Sequence, residues 1–123
     1  WNYDSLTKII NNKLTINNKI LNSIKTLIVL RKKQIAFHPN ATQFTLQLGD
    51  IFFGLWRQSI DRSQSIFCIS NLTNKKQKIS LLDINLISTN SWFDLLTKKK
   101  IKNIGDELFF KPYQTYWITN KNI

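Results

Sequence analysis

The sequence predicts an α+β chain: one or two N-terminal helices followed by a small antiparallel β-sandwich domain. Two periodicities and one break lead to that expectation. Apolar residues repeat with a helical period from Asp4 to Lys33 and with a period near two beyond residue 41. Between them, His38-Pro39 disfavours helical geometry at residue 38 and ends the helical part. The expected domains are therefore a helical segment over 1–40 and an antiparallel β-domain over 41–123.

In the first helix Leu6, Ile9 and Ile10 share a face, and Asp4 is placed to cap the N-terminus. Asn11-Asn12-Lys13 breaks the pattern. In the second helix Ile20, Leu21, Ile24, Leu27 and Ile28 form one apolar stripe, with Asn17 or Asn18 as the expected cap. Arg31, Lys32 and Lys33 fall in its last turn, where positive charge suits the helix dipole. Further along, Phe44, Leu46 and Leu48 alternate with polar residues before a Gly49-Asp50 turn. Strands are expected over Ile51–Ser59, apolar on both faces for part of its length, then Ser65–Ser70 and Gln77–Asp83. Trp92–Leu96, a lysine-rich turn with Gly105-Asp106, Leu108–Phe110 and Gln114–Thr119 complete the series. Short strands separated by turn residues argue for a sandwich.

The composition bounds what such a domain can do. The chain has 123 residues, 42% hydrophobic and 12% aromatic, which is enough apolar material for a packed core. Its formal net charge is +11, from 18 Lys+Arg against 7 Asp+Glu. Lys, Asn and Ile supply 15, 14 and 18 residues, a skew expected of A/T-rich codons rather than of a binding site. Only three residues are Arg, the side chain suited to bidentate phosphate and guanine recognition, so the charge reads as a solvated surface and no nucleic-acid partner is expected. No apolar run is long enough for a membrane-spanning helix, and no membrane partner is expected. A single Cys68 makes no internal disulfide, and no apolar signal segment is visible, which together suggest a cytoplasmic setting. A chain without Met that starts at Trp1 reads as a processed product or as a piece of something larger.

No catalytic constellation is visible. Asp50, Asp61 and Asp106 lie in expected turns, where Asp bonds the local backbone, and nothing in the spacing brings two carboxyl groups across a cleft. One His38 and one Cys68 fall short of a zinc site, and His38 reads as a capping or packing residue. Gly49, Gly54 and Gly105 are too far apart for a phosphate loop, so no cofactor or metal is implied. The sequons at Asn40 and Asn71 read as chance in an Asn-rich chain. Among the tryptophans, Trp56 and Trp117 belong in strands, whereas Trp92 sits in a less regular stretch and is the candidate sugar-contacting aromatic.

A more specific signal is an ordered set of segments. LIVLRKKQIAFHPNATQ (Leu27 to Gln43) runs into LQLGDIFFGLWRQS (Leu46 to Ser59). FCISNLTNKKQKISL (Phe67 to Leu81), WFDLLT (Trp92 to Thr97) and LFFKPYQTYWIT (Leu108 to Thr119) follow. In this order they resemble the C-terminal end of the sucrose-phosphorylase-like branch of glycoside hydrolase family 13, the α-amylase family. The resemblance implies that the helices are the last of a TIM barrel and that the rest is the β-domain behind it. The family's catalytic aspartate nucleophile, glutamate acid/base and second aspartate precede the last barrel helix, so none maps onto a residue here. The implied parent is a retaining enzyme that transfers a glucosyl unit from sucrose, glucosylglycerate or a similar α-glucoside to phosphate. This chain alone would then not be an enzyme, and the α-glucoside would meet it only through the parent. Ile20, Leu21, Ile24, Leu27 and Ile28 are expected to pack on the missing barrel, carried by the same or a separate chain. Otherwise the small β-domain of this chain, or a second copy of the chain in a homo-oligomer, would have to cover them. Two alternative readings stand beside this one: a stand-alone carbohydrate- or protein-binding β-sandwich, and a basic nucleic-acid-binding module.

Overall fold

The computed structural model describes residues 2–84, 87, 89, 91–101 and 107–121. Trp1, Lys102 and the expected Gly105-Asp106 turn lie outside them. The chain divides into two units, Trp1–Gln34 and Ile35–Ile123.

The first unit is a helical hairpin, α1 (Tyr3–Asn11) and α2 (Ile16–Lys32). The caps differ from those expected. Asn2 caps α1 by accepting from the Asp4 N–H at 2.9 Å, so Asp4 lies within the first turn. Thr15 caps α2 in place of Asn17 or Asn18, because its hydroxyl both accepts from the Asn18 N–H at 3.2 Å and donates to Ile9 O at 2.7 Å. Asn18 instead donates from its side chain to Ile10 O, tying the two helices together. Leu6, Ile9, Ile10 and Leu21 are half-buried.

The second unit begins at Ile35, earlier than the expected change at residue 41. A single 3-10 turn, Ile35–Phe37, is clipped to the β-structure through Ala36, whose N–H donates to Gln64 Oε1 and whose carbonyl accepts from Arg57 Nε. Arg57 Nη2 also donates to His38 O at 2.7 Å. His38 Nδ1 accepts from the Asn40 N–H, and the His38 carbonyl from the Ala41 N–H, so His38 organises the turn at Pro39. The Ala-Phe-His-Pro-Asn-Ala segment is thus the seam by which the chain enters the sheet.

The strands are β1 (Thr42–Leu46), β2 (Phe52–Gln58), β3 (Ser65–Asn71), β4 (Gln77–Ser80), β5 (Trp92–Asp94), β6 (Lys99–Ile101), β7 (Glu107–Phe110) and β8 (Thr115–Thr119). Among the described residues they form an antiparallel sheet of order β1-β2-β3-β8-β5-β6 and a second pair, β4-β7. The expected strand Gln77–Asp83 is shorter than its apolar run suggested. It stops at Ser80, and Leu81–Ile84 form the one-turn helix α3, which buries Leu81 and Ile84 in the core. Phe52, Phe67, Ile69 and Ile118 of the larger sheet meet Ile79, Leu108 and Phe110 of the smaller one, as a sandwich requires. Gly54 belongs to this packing: a Cβ there would stand 3.2 Å from Leu46 Cβ and 2.6 Å from the movable tip of Leu48.

Candidate interaction surfaces

Each functional candidate from the sequence has a definite place. Trp92, the proposed sugar contact, is a core residue: it is 2% exposed and meets Phe67 edge-on at 5.5 Å. The expectation of an exposed platform is therefore corrected. Phe93 in the same strand points to the opposite face, and the strand pairing turns Trp92 inward.

The carboxylates serve local structure. Asp94 is fully buried, yet its two oxygens accept four hydrogen bonds. Oδ1 accepts from the N–H groups of Leu96 and Trp117, and Oδ2 from the Thr97 N–H and hydroxyl, at 2.7–3.3 Å. The Leu95 N–H donates to Trp117 O, so the Trp-Phe-Asp-Leu-Leu-Thr run is a turn sewn onto β8. In the sequence Asp94 is one carboxylate among seven, and its place two and three residues before backbone donors in a tight turn is the signal that marks it. Asp61 organises its own turn. Hydrogen bonds from the Ser59 hydroxyl first, then from the Ser63 N–H and hydroxyl, lower its pKa to about 2. Glu107 pairs with Lys78 at 3.1 Å.

Cys68 lies on β3, and burial, slightly opposed by Arg57, pushes its thiol up to about 12, which leaves it inert at neutral pH. Asn71 of the second sequon is buried, its amide donating to Lys75 O and Lys111 O and its oxygen accepting from Thr73, so it serves as an internal brace. Among the described residues, no group of three or more His, Cys, Asp or Glu side chains is arranged to hold a metal ion. No helix of the described residues is long and apolar enough to cross a membrane.

The apolar stripe of α2 has a different character. Ile20, Ile24, Leu27 and Ile28 are 40–54% exposed, and Ile16 is exposed beside them; Leu21 alone of the five expected stripe residues is half-buried. Contiguous exposed Ile and Leu side chains on one helix face mark an interaction surface. A second incompletely covered apolar surface lies on the sheet face away from β4-β7. It carries Phe53, Leu55, Cys68 and Trp117, with Phe37 set edge-on to Trp117 at 5.1 Å.

The comparisons with known proteins agree with this architecture. No protein-family model matches the chain. It is 33% identical over 100 residues to a protein named glucosylglycerate phosphorylase from Allomeiothermus silvanus, covering 81% of this chain and 15% of that protein. A protein of the same name from Escherichia coli K12 is 25% identical over 114 residues, 92% of this chain and 19% of its own length. The chain thus spans less than a fifth of these curated relatives. Its fold matches AmyP, solved with maltose, with a TM-score of 0.73 at 15% identity, over 89% of this chain and 22% of AmyP. A β-L-arabinopyranosidase of glycoside hydrolase family 27 from Geobacillus stearothermophilus matches at a TM-score of 0.50 and 16% identity, over 65% of this chain and 20% of that one. The helical hairpin and the small antiparallel sandwich are therefore a segment of a carbohydrate-active enzyme. The particular kind is a C-terminal segment of a glycoside hydrolase family 13 enzyme.

Proposed function

We propose that this segment is the non-catalytic closing part of a retaining glycoside phosphorylase that transfers a glucosyl unit from glucosylglycerate or a similar α-glucoside to phosphate. Its work is to cover and steady the catalytic barrel, which is its principal partner. One observation carries the reading: the stripe Ile20/Ile24/Leu27/Ile28 is exposed in a chain that matches under a fifth of each glucosylglycerate phosphorylase. Covering four half-exposed Ile and Leu side chains recovers on the order of 1 kcal/mol each, so a barrel surface held against them gains several kcal/mol. The name shared by both curated relatives supports glucosylglycerate over sucrose as the donor.

The test is a transplant. This chain replaces the matching segment of the Escherichia coli glucosylglycerate phosphorylase, and release of glucose 1-phosphate is followed. The chimera is expected to be soluble and active, and the same chimera with Ile24→Lys and Leu27→Lys to lose most of both properties. The proposal fails if the relative works equally well with its segment deleted. It also fails if the isolated chain itself turns over glucosylglycerate.

A further inference from the structure

The aromatic side chains of the larger sheet form a row that runs to its edge and stops there. Trp92 meets Phe67 at 5.5 Å, Phe67 stacks on Trp56 at 5.6 Å, and Trp56 meets Phe44 at 4.8 Å. Phe44, Trp56 and Phe67 are register partners on β1, β2 and β3. Phe44, the last in the row, is 44% exposed. Strand β1 pairs only with β2, and among the described residues no backbone hydrogen bond outside the ladders reaches residues 42–46. Among the described residues, then, the outer side of β1 is left as an unpaired template for another strand.

The two edges of this sheet differ in charge. Strand β6 exposes Lys99 and Lys100, next to Lys98, and lysines on an edge disfavour the addition of a further strand. Strand β1 reads Thr-Gln-Phe-Thr-Leu, and no Lys or Arg occurs between Lys33 and Arg57 in a chain of net charge +11. Two copies of so basic a chain repel one another over most of their surface, and least where the lysines are missing. An uncharged strand also complements itself, whereas a charged partner would find no countercharge on it.

We infer that β1 pairs antiparallel with β1 of a second copy, about a twofold axis at Phe44. This register sets Phe44 opposite Phe44, Gln43 opposite Thr45 and Thr42 opposite Leu46. It pairs all five residues and keeps matching faces on the same side. Each Phe44 then covers the other as a cross-strand aromatic pair, and the aromatic row continues from one sheet into the next. A five-residue strand spans only roughly 17 Å, so the association is weak and concentration-dependent. The inference stands apart from the enzyme reading, since it uses neither the α2 stripe nor the relatives.

Sedimentation velocity on the full 123-residue chain across two decades of concentration tests it. The expected result is a monomer–dimer equilibrium that Phe44→Lys weakens at least about tenfold, or about 1.4 kcal/mol, and that Ile24→Lys on α2 and Lys100→Glu on β6 leave unchanged. Near-ultraviolet circular dichroism verifies that the variants stay folded. A disulfide arm is independent of any loss of folding: under mild oxidation Phe44→Cys links two copies quickly and Gln43→Cys slowly, because only residue 44 faces its own copy. Native Cys68 is too buried to compete. The inference is overturned if the chain is monomeric throughout. It is equally overturned if Ile24→Lys abolishes association while Phe44→Lys does not, which would place the contact on α2, or if both cysteines link at the same rate.

Discussion

Asp94 shows how much one side chain can decide at the residue scale. Its carboxylate is removed from water and holds four donors, three of them backbone N–H groups. An amide in its place would turn an NH2 group towards donors, so Asp94→Asn is expected to cost about 2–3 kcal/mol, read as a lower urea midpoint with an unchanged slope. Asp61 gives a pH-dependent expectation. Its folded pKa of about 2 lies below the usual 3.8, so its stabilising contribution is present above pH 4 and is lost as pH falls towards 2. Because that turn is exposed, the effect is small, and Asp61→Asn should slightly lower stability at neutral pH, flatten the acid limb of the stability profile and converge with the parent near pH 2. The turn role of Asp61 was legible in the sequence, since its donors Ser59 and Ser63 are neighbours, whereas that of Asp94 was not, because its burial and donors depend on residues as distant as Trp117.

At the scale of elements, both helices were legible from their apolar period, and most of the strands from alternation. The misplaced details share a cause. Asn17 and Asn18 are good caps by type, but Thr15 wins because its hydroxyl also reaches back to Ile9 O. Thr15→Ala is therefore expected to cost about 1 kcal/mol of helical stability, measured as lost ellipticity at 222 nm on heating. The run Gln77–Asp83 looked like one strand, yet Leu81 and Ile84 bury better from a single helical turn than from a longer β4. The start of the β-unit also moved forward to Ile35, because Gln64 and Arg57, both later in the chain, satisfy the two backbone groups of Ala36.

For the whole molecule, the exposed face of α2 separates intrinsic stability from function. Ile24→Lys is expected to leave the chain's own urea midpoint within about 0.5 kcal/mol, since surface substitutions touch little, while the same change in the transplant is costly. Equal effects in the two settings would mean that the stripe has a partner within this chain. Periodicity, turn residues and ordered segments were enough to reveal a helical hairpin, an antiparallel sandwich and their kinship with the end of a family 13 enzyme, because these are properties of neighbouring residues. Tertiary structure alone decided that Trp92 is core rather than platform, that Asp94 is a buried hub, and that the aromatic row ends at an uncharged edge. Each depends on pairing between strands far apart in the chain, and a linear pattern carries the alternation of a strand but not the identity of its neighbour.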